Sequence, residues 1–146
     1  MMLISIVGFT IFLVVSIDIN NVEAKMTLAQ VRNSLKPFHK ACLPKSGVSP
    51  DVWEATHNGE FPPDPALQCH FACLFTKLKI LTKDGKLSME SMAKQMDIML
   101  PEDLVGPIKS ITDKCAVDAT SSEVCEMSWQ FAKCYYEADA DMYFLP

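Results

Sequence analysis

Apolar residues recur every three or four positions along most of this chain, and no stretch alternates convincingly as a strand would. Leu28, Val31, Leu35 and Phe38 repeat at helical spacing ahead of Cys42. They follow Thr27-Leu28-Ala29-Gln30, a capping box with Thr27 at the N-cap and Gln30 three residues on. Pro37 predicts a kink or a split in this first helix, and Gly47 ends it. Ser49-Pro50 opens a short second helix through Val52, Trp53 and Ala55, which Asn58-Gly59 stops. Phe61-Pro62-Pro63 is an extended connector, and Asp64-Pro65 opens a third helix with Leu67, Phe71, Leu74 and Leu78 on its apolar face.

Lys83-Asp84-Gly85-Lys86 reads as a turn. Asp-Gly can mark a hairpin, but its flanks have helical periodicity, so no hairpin is expected. A fourth helix carries Met89, Met92, Met96 and Met99 in one narrow stripe. Such a stripe is either ordinary core or an adaptable wall for varied apolar ligands, because thioethers repack easily. Pro101, Glu102 and Asp103 suit the start of a fifth helix, yet Gly106-Pro107 interrupts it. Its regular part is expected from Pro107 through Ile108 and Ile111 to Cys115. Thr120-Ser121-Ser122-Glu123 reads as a second capping box, opening a sixth helix that carries Trp129 and Phe131 and fades near Ala138. The fold class is therefore all-α, with about six helices. The chain ends Met142-Tyr143-Phe144-Leu145-Pro146, too apolar for water, and this tail is expected to fold back over a groove.

The first residues read differently. Leu3 to Ile17 is an uncharged apolar run, and Val22-Glu23-Ala24 is a small-residue cleavage pattern. Residues 1–24 are expected to be a secretory signal peptide, with residues 25–146 as one helical domain. A membrane anchor is the alternative, for which the run is short, since a span takes about 20 apolar residues. The whole chain carries a net charge of −5. Removing Asp18 and Glu23, with no Lys or Arg beside them, leaves −3. That balance disfavours nucleic acid as a partner.

All six cysteines follow Ala24: Cys42, Cys69, Cys73, Cys115, Cys125 and Cys134. An even count in a short secreted chain points to three disulfides, with zinc ligation as the alternative. Cys69 and Cys73 lie four apart on one helical face, where a bond between them is poor. Each should reach a different partner, which makes the third helix a central strut stapled towards both ends of the chain. Counting alone does not choose the pairing.

The spacing Cys42-x26-Cys69-x3-Cys73-x41-Cys115-x9-Cys125-x8-Cys134 resembles the six-cysteine insect odorant-binding proteins, the general and pheromone-binding family. Leu35-Lys36-Pro37 with His39, Gly47-Val48 and the ending Met142-Tyr143-Phe144-Leu145 add local likeness. The resemblance implies the pairs Cys42–Cys73, Cys69–Cys125 and Cys115–Cys134. It also implies a central apolar cavity that carries small hydrophobic ligands such as odorants or pheromones, without cofactor or metal. On it, Met89, Met92, Met96, Leu104, Ile108, Tyr135, Tyr143 and Phe144 are candidate lining. The hydroxyl of Tyr135 or of Tyr143 would supply one orienting polar contact. His39 and His70 stand where relatives hold the terminal carboxylate, here that of Pro146, which suggests an acid-sensitive tail. An olfactory receptor or a second copy of the chain are further partners to consider.

Two other classes fit less well. An enzyme lacks support, since there is no Gly-x-Ser-x-Gly elbow and a disulfide-bonded Cys69 beside His70 cannot act as a nucleophile. A carrier of other lipids, outside olfaction, remains a variant of the main reading. A saposin-like membrane-active protein would share helices and disulfides, but there is no strongly basic amphipathic helix.

Overall fold

The computed structural model describes residues 25–146; the expected signal segment, residues 1–24, lies outside them. Six α-helices follow one another: α1 (Leu28–Ser46), α2 (Pro50–Ala55), α3 (Pro65–Lys77), α4 (Met89–Met99), α5 (Glu102–Asp118) and α6 (Val124–Ala138). Short 3-10 turns cover Thr56–Asn58 and Ala140–Met142. Among the described residues no helix is long and apolar enough to cross a membrane.

Local chemistry explains most boundaries. Thr27 and Gln30 form the capping box, each side chain bonding the other's backbone N–H. Ser49 accepts from the Val52 N–H and Asp64 from the Leu67 N–H, each followed by a proline in the first turn. Pro37 does not split α1, and neither does Pro44. Both lie on the exposed side, and so do Asn33 and Lys40, four residues before them. The carbonyls that lose an N–H partner therefore face water, while Val31, Leu35 and Cys42 stay buried on the other face.

Three further expectations need correction. Helix α5 starts at Glu102, not Pro107, and runs through Gly106 and Pro107. Asp103, whose carbonyl loses a partner, is exposed, and the two acids at the N-terminus favour the helix dipole. The box at Thr120 does not form. Helix α6 begins at Val124, and the Ser121 N–H instead donates to Gln130 Oε1 at 3.0 Å. The segment around Gly85 does pair, through one antiparallel bridge between Leu81 and Leu87. Thr82 N donates to the Lys86 carbonyl at 2.7 Å and Ser88 N to that of Ile80 at 2.8 Å. Leu81 and Leu87 are half-buried there against the core, which helical periodicity did not foretell.

Helix α3 is the strut. It packs most extensively against α6 and next against α1, and it buries Leu67, His70, Phe71, Ala72, Leu74 and Phe75. Disulfides join Cys42 to Cys73, Cys69 to Cys125 and Cys115 to Cys134, so no described cysteine is free. The first ties α3 to α1, the second ties α3 to α6, and the third ties α5 to α6. Among the described residues no cluster of three or more His, Cys, Asp or Glu is placed to hold a metal.

Candidate functional site

The helices and the tail line a cavity of about 100 Å³. Its wall comes from both ends of the chain and the middle. Helix α1 gives Leu28, Val31 and Leu35, and the end of α3 with the following segment gives Phe75, Leu78 and Ile80. Helix α4 gives Met92, Gln95, Met96 and Met99, continued by Leu100. Helix α5 gives Ile108 and Thr112, α6 gives Phe131, Ala132 and Tyr135, and the tail gives Tyr143, Phe144 and Leu145. Apart from thioethers, the polar side chains here are Gln95, Thr112, Tyr135 and Tyr143.

Six of the eight residues expected in the lining meet in this cavity: Met92, Met96, Ile108, Tyr135, Tyr143 and Phe144. Met89 does not. It stands at the first turn of α4 and faces a second hollow with Asp84, Lys86, Ser121, Ser122 and Met127. Leu104 is half-buried against the core and is not part of the cavity wall. The second hollow is larger, about 440 Å³. Its wall is as polar as it is apolar, so it lacks the sorting that burial of a hydrophobic molecule needs. Sequence reasoning missed the α1 wall, although its Leu28–Val31–Leu35 repeat was visible. Trp129 packs against the core and lies outside the cavity wall.

The tail closes one side. Asp139 accepts from the Asp141 and Met142 N–H groups and turns the chain back. Tyr143 is 2% exposed. Its ring meets His57, Phe61 and Tyr136 edge-on, at centroid distances of 6.2, 6.2 and 5.2 Å. Gly59 makes room for this cluster. It has φ +83°, and a Cβ there would come within 2.8 Å of the Tyr136 ring. Arg32, the only arginine of the chain, donates from Nη2 to the Tyr143 carbonyl. Leu145 and Pro146 are buried as well. At the other end, Met26 N donates to the Met99 carbonyl at 2.7 Å and Lys25 Nζ to that of Ile98 at 3.1 Å.

The two expected tail-anchor histidines bond to each other. His39 Nδ1 lies 2.9 Å from His70 Nε2, and Ser46 Oγ lies 2.8 Å from His70 Nδ1. Ser46 Oγ also donates to the Cys42 carbonyl at 3.2 Å. One set of protons satisfies all three contacts: His39 donates to His70, His70 to Ser46, and Ser46 to the carbonyl, with both imidazoles neutral. None of these bonds runs to Pro146; the tail is held instead by Arg32 on the Tyr143 carbonyl. Trp53 packs on all three histidines, with centroids 4.7 Å from His39, 4.7 Å from His70 and 6.0 Å from His57. Burial, then the neighbouring His39 charge, pushes His70 down to about 4. Burial also lowers His39, opposed by Glu54 and assisted by His57 and Lys40.

Two buried phenols differ in surroundings. Tyr135 is 3% exposed, and its hydroxyl has no hydrogen-bond partner. Burial, with Asp139 adding to it, pushes this phenol well above the ordinary range. The Tyr143 hydroxyl differs in having Thr56, Arg32 and Tyr136 as its neighbours. Burial raises it too, against the opposing influence of Thr56 and Arg32.

A helical, disulfide-stapled shell around an apolar hollow defines a small-molecule container. The chain belongs to the PBP/GOBP family, whose profile matches residues 24–138. General odorant-binding protein 72 of Anopheles gambiae is 26% identical over 113 residues, covering 77% of this chain and 93% of that protein. The crystal structure of odorant-binding protein 4 of Chrysopa pallens has a TM-score of 0.74 and 33% identity. That match covers 83% of this chain and 99% of that one. Odorant-binding protein 5 of Apis mellifera also has a TM-score of 0.74, at 27% identity, covering 84% and 99%.

Proposed function

We propose that the protein is a secreted carrier that encloses one small hydrophobic molecule, an odorant, pheromone or similar volatile, in the cavity between α1, α4, α6 and the tail. The observation that carries this reading is that the surface the cavity wall exposes is almost wholly apolar. Affinity comes from removing the ligand's apolar surface from water, at about 25 cal/mol per Å². The disulfides support a hollow centre, since a cavity costs packing that the staples offset. Secretion is supported by the apolar segment before Ala24 and by the disulfides themselves. Delivery to an olfactory receptor is the step this role would serve.

The cavity also says how a ligand is accommodated. An engineered apolar cavity of about 150 Å³ holds benzene. At about 100 Å³, this one must widen for most volatiles. Met92, Met96 and Met99 are the side chains that can move at least cost, since each has three freely rotating bonds and a soft sulfur.

Acid should release the ligand. Both imidazoles of the His39–His70 pair are held neutral, and protonating both would set two like charges 2.9 Å apart beside Lys40 and His57, with only Glu54 opposing. The strain falls on the α1–α3 seam, and α1 carries Leu28, Val31 and Leu35 of the cavity wall. The reading is tested by titrating the oxidised protein with a polarity-sensitive apolar dye at pH 7 and pH 4. One saturable site, emptied by volatiles and weaker at pH 4, where His70 takes up its proton, is expected. Absence of saturable binding at either pH, with the disulfides intact, would sink the carrier.

A further inference from the structure

We propose that the cavity prefers ligands with a hydrogen-bond acceptor and no donor of their own, ketones, aldehydes or esters, because the Tyr135 hydroxyl donates to them. This rests on the carrier reading and sharpens it from hydrophobic molecules in general to one chemical class. Tyr135 belongs to the cavity wall, is almost wholly buried, and has an unpartnered hydroxyl. Buried polar groups are nearly always paired, so an exception marks a place where a partner arrives. Its surroundings keep the phenol protonated at any ordinary pH, so the proton is always available.

The other polar groups of the wall are poorly placed to compete for that role. The Gln95 amide already donates to the Leu78 carbonyl at 2.9 Å and to Ser91 Oγ at 3.2 Å. Tyr143 turns towards Thr56 and Arg32 and is held by the aromatic cluster of the tail. That leaves Thr112 and Tyr135, and of these two only the Tyr135 hydroxyl is fully buried without a partner; its ring is framed by Phe131 at 6.1 Å and by Phe144 at 5.5 Å, the latter edge-on. These rings exclude water from the bond, which raises the cost of leaving any partner unpaired.

Proton counting then separates the ligand classes. A carbonyl meeting the Tyr135 hydroxyl uses the one proton present, and nothing is left over. An alcohol brings a second O–H. One hydrogen bond between two hydroxyls uses one proton and leaves the other facing an apolar wall, where an unmet donor is costly. A hydrocarbon leaves the Tyr135 proton unmet, as it is in the empty cavity, and binds by burial alone.

The test uses three compact molecules of similar size: cyclohexanone, cyclohexanol and methylcyclohexane. Each is titrated against the oxidised protein and its Tyr135→Phe variant, with the bound ketone's C=O stretch read in the infrared. Cyclohexanone should bind about tenfold tighter than cyclohexanol. Tyr135→Phe should weaken cyclohexanone about tenfold and leave methylcyclohexane unchanged. The C=O band of the bound ketone should shift to lower wavenumber in the wild type only. Unchanged methylcyclohexane binding also certifies that the variant has kept its cavity. The preference is overturned if the alcohol binds as well as the ketone, or if the variant keeps the ketone's affinity and band position. A protein that binds none of the three loses the carrier reading as well, an outcome distinct from binding all three alike.

Discussion

Helix α3 and helix α4 both contribute to the cavity wall and are built from opposite materials. Helix α3 buries six residues, two of them phenylalanines, and is bonded covalently to α1 and α6. Helix α4 buries only Met92, holds no cysteine, and contributes methionines where α3 and α6 contribute rings. Besides packing against α5, it is tied to the rest by hydrogen bonds from Gln95 to Leu78, Ser91 to Lys79 and Met26 to Met99. One wall holds its shape, and the other can change shape at little cost. A container for varied small molecules needs both: the stiff wall keeps the fold when the cavity is empty, and the soft wall fits the guest.

The largest effect should come from cutting the stiff side. The Cys69–Cys125 bond spans 56 residues of sequence and joins α3 to α6. Replacing both cysteines with serine should cost about 4 kcal/mol of stability, against about 3 kcal/mol for the Cys115–Cys134 pair. The latter spans only 19 residues. Denaturant unfolding of the two oxidised variants ranks them, and the reverse order would contradict the role given to the strut.

Next comes acid on the α1–α3 seam. His70 titrates at about 4 in the folded protein and near 6.5 unfolded. The unfolded chain therefore takes up the proton first as the pH falls. Stability is fully present above about 6.5 and is lost towards pH 4, by at most about 3 kcal/mol. The lowered His39 acts in the same direction. Unfolding midpoints at pH 7.5 and pH 4.5 measure the loss, and His39→Gln with His70→Gln should flatten it. The bond from Arg32 to the Tyr143 carbonyl involves neither histidine, so it should survive where the histidine seam weakens.

That bond sets the third effect. Arg32→Met keeps the apolar stem and removes the donor, and should cost about 1 kcal/mol. Its clearer signature is kinetic, with ligand dissociation in stopped flow several-fold faster as the tail loosens. The smallest effect on stability belongs to the soft wall. Met92, Met96 and Met99 changed together to leucine, a volume-conserving swap, should move stability by less than about 1 kcal/mol. The same change should narrow the range of ligands displaced from the dye, with the bulkiest lost first.

The same contrast explains what the amino-acid sequence made legible. The strut could be read from Cys69 and Cys73, because helical pitch alone sends two such cysteines to different partners. Caps at Thr27, Ser49 and Asp64 were legible because each depends on residues within three positions. The capping box at Thr120 failed because the neighbouring Ser121 Oγ takes the Glu123 N–H that Thr120 would have accepted. The methionine stripe showed a face but not its extent. Met89 shares the face, yet it sits at the helix end, past the cavity, over the second hollow. Leu104 and Ile108 are one turn apart on α5, and only Ile108 reaches the cavity. Which side chains meet at a cavity depends on how helices cross, and helical spacing does not contain that. The histidines show this most plainly, since the residues were identified but their hydrogen bonds run to one another and to Ser46.

The central claim is that a small ligand enters the hollow beside α4. Methyl-labelled methionine NMR of the oxidised chain, titrated with cyclohexanone, tests it most directly. The methyl resonances of Met92, Met96 and Met99 should shift together and saturate at one ligand per chain, while those of Met89 and Met127, which face the second hollow, stay in place. Shifts confined to Met89 and Met127, or no saturable shift at any methionine, would contradict the account.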